Sequence, residues 1–436
     1  MRFRTVRGES PSVGFREALL QGLAPDGSLY IPEYIPPLDK SFLGDLASSS
    51  LHAAGLHVAS LFIDEIPTGS LKKIVEKAFS FPIPLVRLEE GLYLLELFHG
   101  PTLAFKDVGA RFMAETLSYF LVEDEKEVTI LVATSGDTGS AVAHGFFNVP
   151  HITVYILYPS GKISRLQEQQ MTTLGGNIHA VEVDGTFDDC QRLVKQTFGD
   201  AEVCTARTLT TANSINLGRL LPQISYYVWG VAQLMKELRI QFSAPLIVVP
   251  SGNVGNLTAA VYAKWMGVPI RGFVAATNAN DALPQYLATG RFTPRPSVQT
   301  LSNAMDVGNP SNLARIQALY WNDIGRFRTD IDAVSISDKE TLEEIKRTYD
   351  ATGYLADPHT AVGIAAARRI VQRRSDCPPI IVPATAHPAK FPSVIEQAIG
   401  GAAPAHPSLQ QALQKQRQST RISARYEDWR VLLLDR

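Results

Sequence analysis

"VTILVATSGDTGSAVAHGFFNVPHITVYILYP", residues 128–159, is the stretch whose reading decides the fold. "VTILVAT" (128–134) is a continuous apolar run, the pattern of a strand buried on both faces. A polar turn of small residues follows, then a helical stretch at 138–147 and a second buried-strand run, "ITVYILYP" (152–159). Reading outward, a helix is predicted at about 163–173, a strand over "NIHAVEVD" (177–184) and a helix over "TFDDCQRLVKQTF" (186–198). The order βαβαβ implies a parallel sheet with helices on its faces.

The pattern restarts downstream. Ile215, Leu220, Leu221, Ile224, Val228, Val231, Leu234 and Leu238 recur at helical spacing and predict one long helix over about 214–239. "PLIVVP" (245–250) reads as a strand, followed by a glycine turn and a helix to about 267. Strands are predicted at 270–278 and 332–337, and a helix from Asp338 as its cap to about Ala351. "HTAVGIAAARRIVQRR" reads as a helix and "PPIIVPATAHP" as the last strand and its exit. The fold class is therefore α/β, with two open parallel-sheet domains and an N-terminal lobe. The expected limits are 1–90 for the lobe, read as loop with short elements, 91–212 for a smaller α/β domain and 213–436 for a larger one. Residues 400–420 read as a linker, and "YEDWRVLLL" as an amphipathic end that docks back.

The 436 residues are 45% hydrophobic and 19% charged, an ordinary globular composition. With 41 basic and 43 acidic residues the net charge is −2, and no strongly basic stretch marks nucleic acid as a partner. "MRFRTVRGES" is charged, but no apolar core of signal-peptide length follows it. No apolar run approaches a membrane span. Cys190, Cys204 and Cys377 lack the close spacing of a zinc site or disulfide framework, so they read as small apolar fillers in a cytoplasmic protein, and no metal is expected.

Open α/β sheets bind ligands at the carboxyl ends of their strands, so the turns there carry the chemistry. "SGDTGSAVAHG" places Ser135, Gly136, Asp137, Thr138 and Gly139 at a helix start whose free N–H groups favour an anion. A plain helix cap by Asp137 or Ser135 is the simpler reading. "SGNVGNLTAA" (251–260) has two glycines, Gly252 and Gly255, that let backbone approach a ligand. It is a phosphate cup by physical criteria, without GxGxxG or a P-loop. "NSINLGR" (213–219) offers Asn213, Ser214, Asn216 and Arg219 within about two helical turns. Arg219 suits a phosphate. Thr385 offers a hydroxyl after the last strand, and His387 reads as structural. Lys106, in "LFHGPTLAFKDVGARFM" (97–113), is either a lysine reaching for water from a helix start or a desolvated amine ready to form a Schiff base. A lysine beside a phosphate cup and a second anion site is the set that pyridoxal phosphate requires.

The chain is similar to the threonine synthase family, fold type II (tryptophan synthase β-like) enzymes of pyridoxal phosphate, and within it to the bacterial and fungal branch. "LFHGPTLAFKD", "ATSGDTGSAVAHGF", "YPSGKIS", "LGGNI", "NSINLGR", "PSGNVGN", "LSNAMDVGNPSN" and "ATAHPAKF" occur in the family's order over nearly the whole length. The resemblance implies that Lys106 carries the cofactor and moves protons. It implies that Gly252, Asn253, Val254, Gly255 and Asn256 hold the cofactor phosphate, that Thr385 faces the ring nitrogen, and that Asp137 lies near the ring hydroxyl. Ser135 and Thr138 are implied for the substrate carboxylate, and Lys162, Ser214, Asn216 and Arg219 for the substrate phosphate. The implied partner is O-phospho-L-homoserine, converted with water to L-threonine and phosphate, in a monomer or homodimer. Two alternatives remain open at this point, a lyase that releases 2-oxobutyrate and a non-catalytic paralogue.

Overall fold

The computed structural model describes residues 1–124, 126–134, 136–373 and 378–435. In chain order the strands are β1 (Phe3–Thr5), β2 (Tyr30–Pro32), β3 (Leu85–Glu89), β4 (Leu92–Glu96), β5 (Val128–Ala133), β6 (Ile152–Pro159), β7 (Ile178–Asp184), β8 (Leu209–Thr211), β9 (Leu246–Pro250), β10 (Gly272–Thr277), β11 (Ile331–Ser335), β12 (Ile380–Ala384) and β13 (Ser419–Ser423). Among the described residues they form a five-stranded sheet in the order β13-β7-β6-β5-β8, a six-stranded sheet in the order β11-β10-β9-β12-β4-β3, and the small pair β1-β2. The five-stranded sheet is parallel throughout. The larger one is parallel except where β3 folds back on β4. Every residue of β5 and of β9 is buried, as their unbroken apolar runs require.

Several local expectations differ from the structure. Residues 1–90 contain two full helices, Leu51–Phe62 and Thr68–Ala78, where loop was expected. The first buries Leu51, Ala54, Val58, Ala59 and Phe62 at helical spacing and is capped by Ser50, whose hydroxyl accepts from Ala53 N–H at 3.1 Å. The long helix is two, Leu217–Leu220 and Pro222–Leu238, because Pro222 has no N–H to continue the ladder and so opens a new helix at N1. Ser337 rather than Asp338 caps the helix Asp338–Thr352, in a capping box with Glu340.

The chain does not keep its sheets in separate blocks. β4, which leads into the Lys106 segment, pairs with β12 in the six-stranded sheet. β13 returns to pair with β7, and the helix Tyr426–Leu434 docks beside it. That docking follows from Trp429, which is fully buried, edge-on to Tyr155, with its indole N–H on Thr197 Oγ1 at 2.8 Å. The expected linker holds a further short helix, Pro407–Leu413. Cys190 is a buried filler, Cys204 is exposed, and Cys377 lies outside the described residues. Among the described residues no helix is long and apolar enough to cross a membrane.

Trp429→Ala removes the largest buried side chain of this C-terminal return, with an expected loss of about 3–5 kcal/mol. Hydrogen exchange in urea should show β7 and the helix Phe187–Phe198 losing protection at concentrations that leave β9 and β10 protected.

Candidate active site

The carboxyl ends of β5, β8, β9 and β12 open onto one cavity, and the loop after β4 closes it with Lys106. Lys106, Asp137, Thr138, Ser214, Arg219, Thr385 and the whole run Gly252–Asn256 line it together. These positions are spread over 280 residues of sequence, and the crossing of the two sheets unites them. The lysine segment is tied to the segment after β12 by Phe105 N–H on Thr385 O at 2.8 Å, His387 N–H on Leu103 O at 3.0 Å, and a bridge between Ala104 and Ala386.

Lys106 opens the helix Lys106–Asp124. Burial pushes its amine down to about 8; Asp137 pulls the other way, and the cations Lys390 and Arg219 add to the depression. Near neutral pH a useful fraction of the amine is therefore unprotonated, which favours the desolvated-amine reading over a lysine reaching for water. Burial raises the Asp137 carboxyl, but Lys390, Lys106 and His359 outweigh it and hold it well below the usual range. Asp107, also buried, is pushed up to about 6 despite accepting from Thr102 N–H at 2.9 Å and Thr102 Oγ1 at 2.6 Å.

Among the described residues Asp137, one of the two expected caps, does not cap the turn after β5. Thr134 Oγ1 accepts from Gly136 N–H at 2.9 Å and Gly139 N–H at 2.8 Å. The helix Asp137–Phe146 makes its first backbone bond from Ser140 N–H to Gly136 O, so the amides of Asp137 and Thr138 precede the ladder and are available to an anion. Ser135 lies outside the described residues.

The run 251–256 forms a cup at the start of the helix Gly255–Trp265. The first helical bond runs from Thr258 N–H to Val254 O, leaving the amides of Gly255, Asn256 and Leu257 ahead of it. A Cβ on Gly252 would stand 2.9 Å from Met305 Cα and 3.1 Å from Ala304 O, so only glycine allows the 303–308 loop to close over the cup. Val254 has φ +50°, a left-handed conformation that costs a β-branched residue about 1–3 kcal/mol and is typical of ligand clamps. Tyr226 and Tyr227 hydroxyls donate to Asn256 Oδ1 at 2.5 Å and 2.7 Å and fix the amide. Asn256 Nδ2 is then left buried with no partner among the described residues. An orphaned donor in an anion cup is what a bound phosphate would satisfy.

Arg219 is buried, donates through Nη1 to Ala212 O, and leaves Nε with no partner among the described residues. Burial pushes it down to about 10, so it stays a cation. Gly109 makes room for it, since a Cβ there would lie 3.0 Å from Nε. Ser214 Oγ accepts from Asn312 Nδ2 at 3.3 Å, and Asn312 is itself held by Arg315, a fully buried residue whose other bonds reach Tyr30 O and Ile215 O. Two expected substrate residues do not reach the cavity. Asn216 is fully buried and capped in: Nδ2 donates to Leu19 O and Thr211 O, and Oδ1 accepts from Gly218 N–H. Lys162 is exposed at the turn after β6. His387 accepts from Ala389 N–H at 3.1 Å and is not among the residues lining this cavity.

Sequence reasoning missed three buried groups. Lys390 pairs with Asp137 at 2.7 Å. Gln167 Nε2 donates to the same carboxylate at 3.0 Å. His359 lines the cavity, with Nδ1 on Asp357 at 2.8 Å and Nε2 accepting from Ala304 N–H at 3.1 Å. The available signal was a lysine and a histidine inside otherwise apolar segments, "ATAHPAKF" and "DPHTAVGIAAA".

Comparison with known proteins agrees with this geometry. Residues 79–380 match the family described as pyridoxal-phosphate dependent enzyme, residues 2–79 that of the threonine synthase N terminus, and residues 360–431 that of the threonine synthase C-terminal part. The threonine synthase of Haemophilus influenzae is 45% identical over 401 residues, 92% of each chain. The chain belongs to the threonine synthases. The fold is theirs: the crystal structure of Escherichia coli threonine synthase superposes with a TM-score of 0.92, at 41% identity over 100% of both chains. A pyridoxal-phosphate-bound threonine synthase from Brucella melitensis gives 0.92 at 35% identity, over 99% of this chain and 98% of that one. Membership makes the chain a pyridoxal-phosphate dependent lyase of threonine biosynthesis.

Gly252→Val drives a side chain into the backbone of Met305 and Ala304. It should weaken pyridoxal phosphate binding at least about tenfold, or ~1.4 kcal/mol, by equilibrium dialysis. Wild-type affinity in that variant would remove the 251–256 cup from cofactor binding.

Proposed function

We propose that the cavity converts O-phospho-L-homoserine and water to L-threonine and phosphate. The observation that carries this reading is the pair of buried donors without partners among the described residues, Asn256 Nδ2 and Arg219 Nε, on two segments that line the cavity. Two such donors suit two phosphates, one on the cofactor and one on the substrate. The donor set around them fits pyridoxal phosphate: a lysine with a depressed amine, a glycine cup with amides ahead of the helix ladder, and a hydroxyl, Thr385, after β12.

In this reading Gly252, Asn253, Val254, Gly255 and Asn256 bind the cofactor phosphate, largely through backbone amides. Thr385 faces the ring nitrogen, and a neutral hydroxyl there leaves that nitrogen less basic than a carboxylate partner would. Pyridoxal phosphate, when bound, supplies the electron sink that makes the substrate's α and β C–H bonds acidic. Lys106 Nζ takes the α proton and returns protons later, a task matched to an amine near 8. The amides of Asp137 and Thr138, with Ser135, hold the substrate carboxylate. Arg219 and Ser214 hold the substrate phosphate, and Arg219 stabilises the charge on it as it leaves. Loss of a β proton breaks the Cγ–O bond and releases phosphate, and water then adds at the β carbon while protons return to the α and γ carbons. The 303–308 loop packs over Gly252 and covers the cup.

A proton NMR time course with pyridoxal phosphate and O-phospho-L-homoserine tests the reaction. Growth of the threonine methyl doublet is expected; 2-oxobutyrate instead would keep the binding roles and replace hydration by release. Lys106→Ala should abolish both the visible band of the bound cofactor and turnover, and a variant that still turns over would overturn the role of Lys106. Arg219→Ala should lower kcat/KM about 10²–10³-fold, with KM for the phosphorylated substrate rising far more than the cofactor dissociation constant. Equal losses in both would move Arg219 to the cofactor.

A further inference from the structure

The segment that leaves the six-stranded sheet carries a second lysine that the proposed reaction does not use. Lys390 ends the short helix Pro388–Lys390 and is fully buried. A buried ammonium needs partners to offset the lost water. Lys390 Nζ has two: Asp137 Oδ1 at 2.7 Å and Thr102 O at 2.8 Å. Gln167 Nε2 donates to the same Oδ1 at 3.0 Å. It reaches that atom only because residue 136 is glycine, where a Cβ would lie 2.5 Å from Gln167 Cδ. Both bonds thus fall on Oδ1. Oδ2 takes none from the described residues, and Asp137 lines the cavity.

We propose that Lys390 is a positioning residue for the reaction: it anchors Asp137 through Oδ1, leaves Oδ2 for the hydroxyl-bearing edge of the cofactor ring, and balances the carboxylate's charge beside Lys106 Nζ. The inference rests on the reading that pyridoxal phosphate occupies this cavity through Lys106.

The electrostatics around the cluster agree with that role. Lys106 faces one anion, Asp137, and two cations, Lys390 and Arg219. Asp137 faces Lys390, Lys106 and His359. Lys390 also faces Asp107 and His144, and burial pushes the His144 imidazole down to about 4, so it carries no charge near neutrality. Asp137 is therefore the group that would hold the proton on Lys106, and Lys390 is the cation bonded to it. Without Lys390 less opposes the carboxylate's pull on Lys106, and the amine keeps its proton to higher pH.

The test follows the rate at which the full-length protein takes pyridoxal phosphate into its visible-absorbing form, as a function of pH. That rate requires an unprotonated Lys106 amine, and the wild-type midpoint is expected near 8. Lys390→Met should raise the midpoint by about one pH unit or more, tenfold in the proton equilibrium. Lys390→Met combined with Asp137→Asn should bring it back toward wild type, because both charges are gone. A purely structural lysine would lower the melting temperature and leave the midpoint where it was. An unmoved midpoint in folded Lys390→Met, or a double variant that stays with Lys390→Met, overturns the proposal. Should Lys390→Met fail to fold, Lys390→Gln, which keeps a donor without the charge, is measured instead with the same rise expected and the same overturning result. Lys106→Ala separates the two levels. If it acquires the visible band, the cofactor reading itself fails; if it does not and the midpoint stays put, only the role of Lys390 fails.

Discussion

Charge buried without enough partners is the constraint on which this site depends. Lys106, Arg219 and Asp137 line the cavity, with Lys390 and Asp107 buried close by. Removing such groups from water is expensive unless each finds a partner. Lys390 is satisfied by Asp137 and Thr102 O. Among the described residues, Arg219 Nε and Asn256 Nδ2 have no partner. Buried donors short of partners on segments that line a cavity favour an anionic ligand there.

The backbone makes that arrangement possible. Parallel strands deliver their carboxyl ends to one edge, and here two sheets present such edges to each other. Short connections then lock the edges. The lysine loop is bonded to the Thr385 segment, and Arg315 joins β2 to the segments of Ser214 and Asn312. Two non-glycine residues near the cavity, Leu103 and Val254, are held at φ +59° and +50°. Such backbone persists only where surrounding contacts over-determine it. Both stand where a loop must turn sharply to place a functional neighbour, Lys106 in one case and the cup amides in the other.

Much of this was legible in the chain. Unbroken apolar runs marked β5, β6 and β9, since only a strand covered on both faces tolerates them. Glycines after β5 and β9 marked the turns where backbone meets ligand. The helices at 51–62 and 68–78 escaped because proline and glycine punctuation before them masked their spacing. Asn216 and Lys162 were grouped with Arg219 because they share its neighbourhood in sequence or motif. Asn216, however, spends its amide on backbone groups of Leu19, Thr211 and Gly218, and Lys162 faces water. Residue type and spacing do not reveal where a side chain's hydrogen bonds go.

The sequence by itself determined the class of fold, the polar turns at strand ends and the lysine, cup and arginine that any phosphate-bearing cofactor and substrate would need. Those features are local, written in periodicity and in the few residues that can form such turns. Tertiary structure alone decided which distant groups share the cavity. Lys390 stands 253 positions from Asp137, and nothing in either segment announces the other. Their pairing exists because β12 lies beside β4 in one sheet while Asp137 leads off from β5 in the other, and because a buried charge settles only where its partner already is.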